Sequence, residues 1–340
     1  MHTPKPPRST TPNERHFSRR EWLAALAAGP LPATAANAAA RLGKPMRGAF
    51  MILATPYTSD KAIDYEDLAA EVKFLDRCGV QGMVWPQHAS DLNILTHEER
   101  MRGMEVLAAA AKGTKPALVL GVQAENTSKM IEYARRAEEL APDALMAIPP
   151  TAAKSLDGYR EYYSALCRLT GRPVFCQTAG GAPDVEPTVE FLVEMGRKFE
   201  NFGYLKEEYK DAITRMKELR KYRPGPIKSI LGAQRAVGWT YEMRLGMDGT
   251  LTGGPMYADV YAHIWESHLA GHHDEVRDVF AKLLVMTNLE DQIPGLKYYM
   301  MKRRGVFKTT VSRRGDYTFP PQAVAQIEHD FAALKPYLRT

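Results

Sequence analysis

The strongest constraint on the fold is a regular alternation of short apolar runs with longer helix-like segments, which continues from residue 49 to residue 252. The apolar runs are residues 49–54, 82–85, 117–122, 144–148, 173–177, 202–206, 227–231 and 249–252. The helix-like segments between them include residues 65–78, 98–112, 128–140, 156–169, 188–199, 210–221 and 234–245. Most runs are continuously apolar, as is typical of parallel strands buried on both faces. Eight such strands with intervening helices predict an α/β fold, a closed (β/α)8 TIM barrel, over residues 47–257. Residues 258–340 are again helical in pattern and are predicted to pack on the barrel as additional C-terminal helices.

Composition and charge exclude several classes of function. The chain is 45% hydrophobic and 25% charged, which is ordinary for a globular protein. Of its formal charge of +5, residues 1–38 carry +3, because five basic residues face two acidic ones there. The remainder has no basic run with interleaved aromatic residues, so nucleic acid is not an expected partner. The cysteines are odd in number and form no C-x-x-C pair, which argues against a disulfide framework or a zinc site.

The N-terminal segment reads as an export signal. Arg19 and Arg20 precede Trp22 and Leu23, and a short Ala/Leu stretch interrupted by Pro30 and Pro32 follows. The paired arginines resemble the twin-arginine pattern, and the stretch is too short and weakly apolar to span a bilayer as a stable helix. The sequence therefore predicts a twin-arginine-type signal over residues 1–40, a periplasmic location, and no stable membrane insertion after processing; a disordered basic tail is the alternative.

One strand-like run ends on a lysine, Lys206. Apolar packing around a lysine disfavours its ammonium form, and a neutral amine can attack a carbonyl carbon to form a Schiff base. A structural lysine at a strand end is the alternative interpretation of this residue.

Other polar clusters have structural explanations. Thr96 and Glu99 have the spacing of a capping box, so His97 and its acidic neighbours are expected to begin a helix and not to bind a metal. Gly253 and Gly254, next to the last strand-like run, could admit a ligand's carboxylate or simply permit a turn.

Several short motifs, taken in order, resemble the dihydrodipicolinate synthase and N-acetylneuraminate lyase family over about residues 47–335. The motifs are Ala54-Thr55-Pro56-Tyr57 with Ile63-Asp64, Gly79-Val80-Gln81-Gly82, Leu95-Thr96-His97-Glu98-Glu99-Arg100, Gly121-Val122 with Asn126-Thr127, Leu205-Lys206-Glu207, and Gly246-Met247-Asp248-Gly249. The resemblance implies a class I aldolase or dehydratase in which Lys206 attacks the keto group of a 2-oxo acid, and which requires no metal or organic cofactor. It also implies a site at the C-terminal ends of the strands, a small-molecule oxo-acid or sugar-acid ligand, and a homo-oligomer, either a dimer or a tetramer.

The sequence departs from the family pattern at four places. His88 and Ala89 stand where the family has two hydroxyl residues, although Asp91 keeps the acid that follows them. Gln177 stands where a tyrosine normally relays protons, and an amide cannot do acid–base work at neutral pH. Pro149-Pro150-Thr151 replaces the segment that supplies a second tyrosine to a neighbouring subunit, which leaves assembly open. No arginine lies between residues 177 and 187, where the lysine-pathway members bind a substrate carboxylate.

Three functions remain open at this point. The chain could be a lyase on a different oxo acid, with His88 supplying acid–base chemistry because its pKa lies near neutral. It could instead be a catalytically impaired binding protein for an oxo acid or sugar acid, or a true dihydrodipicolinate synthase, although export would separate it from that pathway. The predicted catalytic residues are Lys206 and His88. The predicted substrate-binding residues are Thr55, Ala89, Ser90, Thr151, Gln177, Thr178 and Gly253.

Overall fold

Eight parallel strands pair in sequence order, and the first also pairs with the last, which closes the barrel. This computed structural model describes residues 43–340, so the predicted signal at residues 1–40 lies outside the described part of the chain. The strands are β1 (Gly48–Ile52), β2 (Gly82–Trp85), β3 (Ala117–Gly121), β4 (Ala144–Ala147), β5 (Val174–Gln177), β6 (Tyr204–Glu207), β7 (Ser229–Gly232) and β8 (Gly249–Thr252). The predicted (β/α)8 TIM barrel is confirmed.

A helix follows each strand, and further helices follow the barrel. Those of the barrel are α1 (Tyr65–Cys78), α2 (His97–Ala110), α3 (Thr127–Leu140), α4 (Leu156–Leu169), α5 (Val189–Lys198), α6 (Ala212–Leu219), α7 (Trp239–Arg244) and α8 (Ala258–Leu269). The additional C-terminal helices are α9 (His273–Gln292), α10 (Leu296–Arg303) and α11 (Pro321–Ala332). The eighth barrel helix thus begins at Ala258, so the predicted boundary between residues 47–257 and 258–340 falls just before it.

Two hydrophobic clusters divide the core. The smaller one fills the barrel interior, and alternate strand residues such as Phe50 and Ile52 contribute to it because side chains of a strand alternate between its faces. The larger cluster packs the outer face of the strands against the helices. The three cysteines are free and buried.

The helix starts follow the local chemistry of the sequence. Thr96 Oγ1 accepts a hydrogen bond from the Glu99 amide at 3.2 Å, and Glu99 Oε2 accepts one from the Thr96 amide at 2.9 Å. This confirms the predicted capping box at the start of α2. Within residues 43–340, every helix is too short or too polar to cross a lipid bilayer.

Candidate active site

Strand alternation directs Lys206 into the mouth of the barrel. Tyr204 packs against the interior cluster, and Lys206 lies two residues further along β6, so both side chains point to the same face. Lys206 is near the C-terminal end of its strand and is only 6% exposed. The side chain is therefore buried where the strand ends meet.

The nitrogen of Lys206 has two polar partners. Lys206 Nζ donates to Gln177 Oε1 at 3.1 Å and to Glu208 Oε1 at 3.1 Å. Gln177 is its register partner on β5, and Glu208 follows β6 directly. The nitrogen of this amine, for which the sequence predicted apolar surroundings, thus contacts an amide and a carboxylate. Attack on a carbonyl requires that the lysine first lose a proton, for which Glu208 is the nearest acceptor.

A cavity of about 340 Å³ opens beside Lys206. Strand ends and loops of the barrel form one wall, and α9 and α10 form the other. Four of the predicted site residues line it together, namely Lys206, His88, Ala89 and Gly253. This volume falls in the lower part of the range of small-molecule sites.

His88 lies between this cavity and a second one of about 240 Å³, which Thr151 also lines. Burial lowers the pKa of the His88 imidazole, and the positive charge of Lys206 lowers it further. The ring is therefore neutral at neutral pH and can accept a proton. Gly180 allows the loop after β5 to approach the His88 ring closely, because a Cβ atom at position 180 would lie 2.9 Å from His88 Nε2.

Thr55 and Ser90 lie outside the cavity wall and hold the loop that carries His88. Thr55 Oγ1 donates to the Ser90 carbonyl at 2.6 Å and accepts from Trp85 Nε1 at 3.1 Å. Ser90 Oγ donates to the Leu53 carbonyl at 2.6 Å. Both hydroxyls are buried and already paired, so their contribution to the site is to position this loop.

Gln177 and Thr178 also act behind the cavity wall. Thr178 Oγ1 donates to Glu207 Oε1 at 2.8 Å and accepts from the Glu208 amide at 3.0 Å. Gln177 Nε2 donates to the Ala179 carbonyl at 3.2 Å, which turns its amide oxygen toward Lys206. These two residues therefore fix the positions of Lys206 and Glu208.

Asp91 joins the loop after β2 to the C-terminal part of the chain. Its Oδ2 accepts hydrogen bonds from Tyr57 Oη and Tyr298 Oη, each at 2.8 Å, and its Oδ1 accepts one from Arg314 Nε. Arg314 keeps the pKa of Asp91 below its usual value despite burial. The Tyr57 hydroxyl is therefore bound to Asp91.

Sequence reasoning missed four charged residues of the cavity, namely Glu208, Arg235, Glu290 and Lys297. Lys297 Nζ donates to the Ala89 carbonyl at 2.7 Å, and burial lowers the pKa of its amine. Glu208 could have been found from its position two residues after Lys206. Arg235 follows β7, inside a segment that the sequence predicted as a helix. Glu290 and Lys297 lie far along the chain on α9 and α10, and no local signal connects them with the strand ends.

Comparison with known proteins gives the following similarities. The model of the dihydrodipicolinate synthetase family matches residues 45–316. A 4-hydroxy-tetrahydrodipicolinate synthase of Parabacteroides distasonis is 26% identical over 258 residues, which are 74% of this chain and 85% of that protein.

Solved structures share the fold. The dihydrodipicolinate synthase of Aquifex aeolicus superposes with a TM-score of 0.74 at 18% identity, covering 86% of this chain and 98% of that one. The N-acetylneuraminate lyase of Aliivibrio salmonicida gives a TM-score of 0.75 at 17% identity, covering 86% and 97%.

Proposed function

Because this chain belongs to the dihydrodipicolinate synthetase family, we propose that it is a lyase in which Lys206 forms an imine with a small 2-oxo acid. The observation that carries this proposal is the buried amine of Lys206 beside a cavity of about 340 Å³ at the C-terminal end of the barrel. Active sites of (β/α)8 barrels lie at this end. The ligand class is a pyruvate-like acid or a sugar acid, and the reaction class is aldol cleavage or condensation, or dehydration.

The first step uses the partners of Lys206. Glu208 takes a proton from the ammonium at 3.1 Å, and the free amine attacks the keto carbon of the oxo acid. The resulting carbinolamine loses its hydroxyl as water, with the proton returned from Glu208, and an iminium remains. The iminium then accepts the electron pair of a bond broken at the adjacent carbon.

His88 and Lys297 have the remaining two roles in the proposed mechanism, proton transfer and binding of the substrate carboxylate. The neutral imidazole of His88 is proposed to exchange a proton with the substrate oxygen that leaves or becomes a carbonyl. The substrate carboxylate is assigned to Lys297, since its ammonium has three donors and uses one on the Ala89 carbonyl. This cation takes the place of the arginine missing between residues 177 and 187.

Borohydride trapping tests the proposal. The purified protein is incubated with pyruvate, reduced, and weighed by mass spectrometry, alongside a panel of longer 2-oxo acids. We expect one covalent adduct per chain in the wild type and none in Lys206→Gln. Because Lys297 is a second amine in the same cavity, Lys297→Gln is the matched control and is expected to retain the adduct at saturating oxo acid.

A second function, binding without turnover, is favoured by one observation. Lys206 Nζ is engaged by both Glu208 and Gln177, and Gln177 replaces the tyrosine of the family. In that case calorimetry would detect oxo-acid binding while reduction would trap nothing, and Lys206→Gln would weaken binding.

A further inference from the structure

The family's proton-relay tyrosine is missing here, so another group must move the proton on carbon if the site turns over. Apart from Lys206 and Lys297, which are assigned to the imine and to the substrate carboxylate, four cavity residues have side chains that can carry a proton, namely His88, Glu208, Tyr261 and Glu290. His88 is already assigned to the substrate oxygen. Glu208 is engaged with Lys206 at 3.1 Å. Burial raises the pKa of the Tyr261 phenol, which therefore stays protonated and cannot act as a base.

Glu290 stands on the wall opposite the strand ends. It lies near the C-terminal end of α9, where Thr287, one turn earlier, lines the same cavity. Its neighbour Asp291 points elsewhere and binds Arg235, with Arg235 Nη2 donating to Asp291 Oδ2 at 2.7 Å. Among residues 43–340, the Glu290 carboxyl has no hydrogen-bond or ion-pair partner within bonding distance, so it is available to a ligand.

We propose that Glu290 is the catalytic acid–base residue that removes and returns the proton on the carbon next to the imine. This inference rests on the proposed function, since it needs the adduct on Lys206. In the step, a C–H bond at that carbon breaks and its proton goes to the Glu290 carboxylate. The electron pair forms a carbon–carbon double bond, and the former C=N pair moves to the nitrogen to give an enamine. The reverse step returns the proton, and nothing is oxidised or reduced.

The surroundings of Glu290 suit both directions of this transfer. Burial raises the pKa of the carboxyl to about 7, although the positive charges of Lys297 and Arg235 oppose the shift and the charge of Asp291 adds to it. A carboxyl that titrates near the working pH is an efficient acid and an efficient base. The charged or titratable groups facing it from the packed elements are Lys297, Arg235, Asp291, Tyr257 and Tyr261.

Hydrogen–deuterium exchange of pyruvate isolates this step without the natural substrate. The enzyme is mixed with pyruvate in D2O, and loss of the methyl proton signal is followed by NMR. We expect Glu290→Gln to slow exchange by roughly 100-fold or more, as removal of a general base does, while borohydride still traps the adduct on Lys206. Glu290→Asp should retain part of the activity.

The control is Glu242→Gln, which neutralises another buried carboxyl with a raised pKa that does not line the cavity. It should leave exchange unchanged. In the wild type the exchange should rise with pH through about pH 7, as Glu290 ionises, and Glu290→Gln should lose this dependence.

The trapping and exchange results together distinguish failure of the Glu290 proposal from failure of the imine proposal for Lys206. If Glu290→Gln both traps pyruvate and exchanges its protons within twofold of the wild type, the role of Glu290 is overturned and the imine proposal stands. Trapping by the wild type without any exchange would have the same meaning. If the wild type neither traps nor exchanges, both proposals fail together.

Discussion

At the scale of single residues, the site depends on which polar groups have partners. Lys206 is engaged by Gln177 and Glu208, whereas Glu290 faces the cavity without a partner among the described residues. In the proposed mechanism, an incoming oxo acid meets a lysine whose proton has a nearby acceptor and a carboxyl that is free to react. The proposed chemistry is thus divided between the barrel and the C-terminal helices.

Glu242 gives a prediction about stability and pH. Its carboxyl lies against Gly232, its Oε2 has no partner within residues 43–340, and burial raises its pKa from 4.5 to about 7. Between these values the folded protein holds a proton that the unfolded chain has released, so the free energy of unfolding falls as pH rises. Glu242→Gln removes this penalty, and its stability relative to the wild type should grow by roughly 2–3 kcal/mol from pH 5 to pH 8.

Urea denaturation at the two pH values measures this difference. Glu161→Gln, which changes an exposed carboxyl, is the control. The difference in its free energy of unfolding from the wild type should be nearly the same at the two pH values. An equal effect of Glu242→Gln at both pH values would show that Glu242 has an ordinary pKa in the folded state.

At the scale of elements, the cap of α2 also ties the barrel to the C-terminal segment. Glu99, besides accepting from the Thr96 amide, accepts from Arg313 Nη1 at 2.9 Å.

Thr96→Ala should lower the free energy of unfolding by about 1 kcal/mol, because it leaves the Glu99 amide without an acceptor. Thr96→Ser keeps the hydroxyl and should lie within about 0.5 kcal/mol of the wild type in the same denaturation experiment. Equal stability of Thr96→Ala and wild type would mean that the cap contributes nothing.

The elements themselves were largely predictable from the sequence. Every strand lies within two residues of its predicted bounds, because continuous apolar runs mark strands that are buried on both faces. The segment predicted as a helix at residues 234–245 was only partly correct, since α7 begins at Trp239. The preceding residues Gln234, Arg235 and Ala236 have positive φ angles of 51°, 58° and 62°. Glycine is the usual sequence signal of a positive φ angle, and none of these three positions is a glycine.

The site was predictable only where it lies on the barrel strands and their loops. Lys206, His88, Ala89 and Gly253 reach the cavity because barrel topology gathers the strand ends. Thr55, Ser90 and Thr178 lie behind the cavity wall, because hydrogen bonds to neighbouring carbonyl groups and, for Thr178, to the Glu207 carboxylate hold their hydroxyls away from the cavity. Glu290 and Lys297 depend on how α9 and α10 pack over the mouth, which sequence periodicity does not determine.

At the scale of the whole molecule, the C-terminal part of the chain is anchored to the barrel by buried charges. Arg304 Nη2 donates to Asp259 Oδ2 at 2.7 Å, and both side chains are nearly inaccessible. The Arg339 amide donates to the same carboxylate at 3.0 Å. Residues 44–340 accordingly form one compact unit, in which α9 and α10 complete the cavity.

The location of the protein is a separate proposal, based on residues 1–40. Replacing Arg19 and Arg20 by lysine should keep the full-length precursor in the cytoplasm of a bacterium that has the twin-arginine pathway, because the pair is the recognised feature. Cell fractionation and immunoblotting measure this, and Arg8→Lys with Arg15→Lys is the matched control. Undiminished export of the Arg19/Arg20 variant would contradict a twin-arginine signal.

The most direct test of the central claim is to locate the reduced adduct on the chain. Wild-type protein treated with pyruvate and borohydride is digested, and the modified peptide is sequenced by tandem mass spectrometry. The imine mechanism predicts the label on Lys206, with Lys297 unmodified. A label on Lys297 with Lys206 intact, or no label with any 2-oxo acid of the panel, would contradict it.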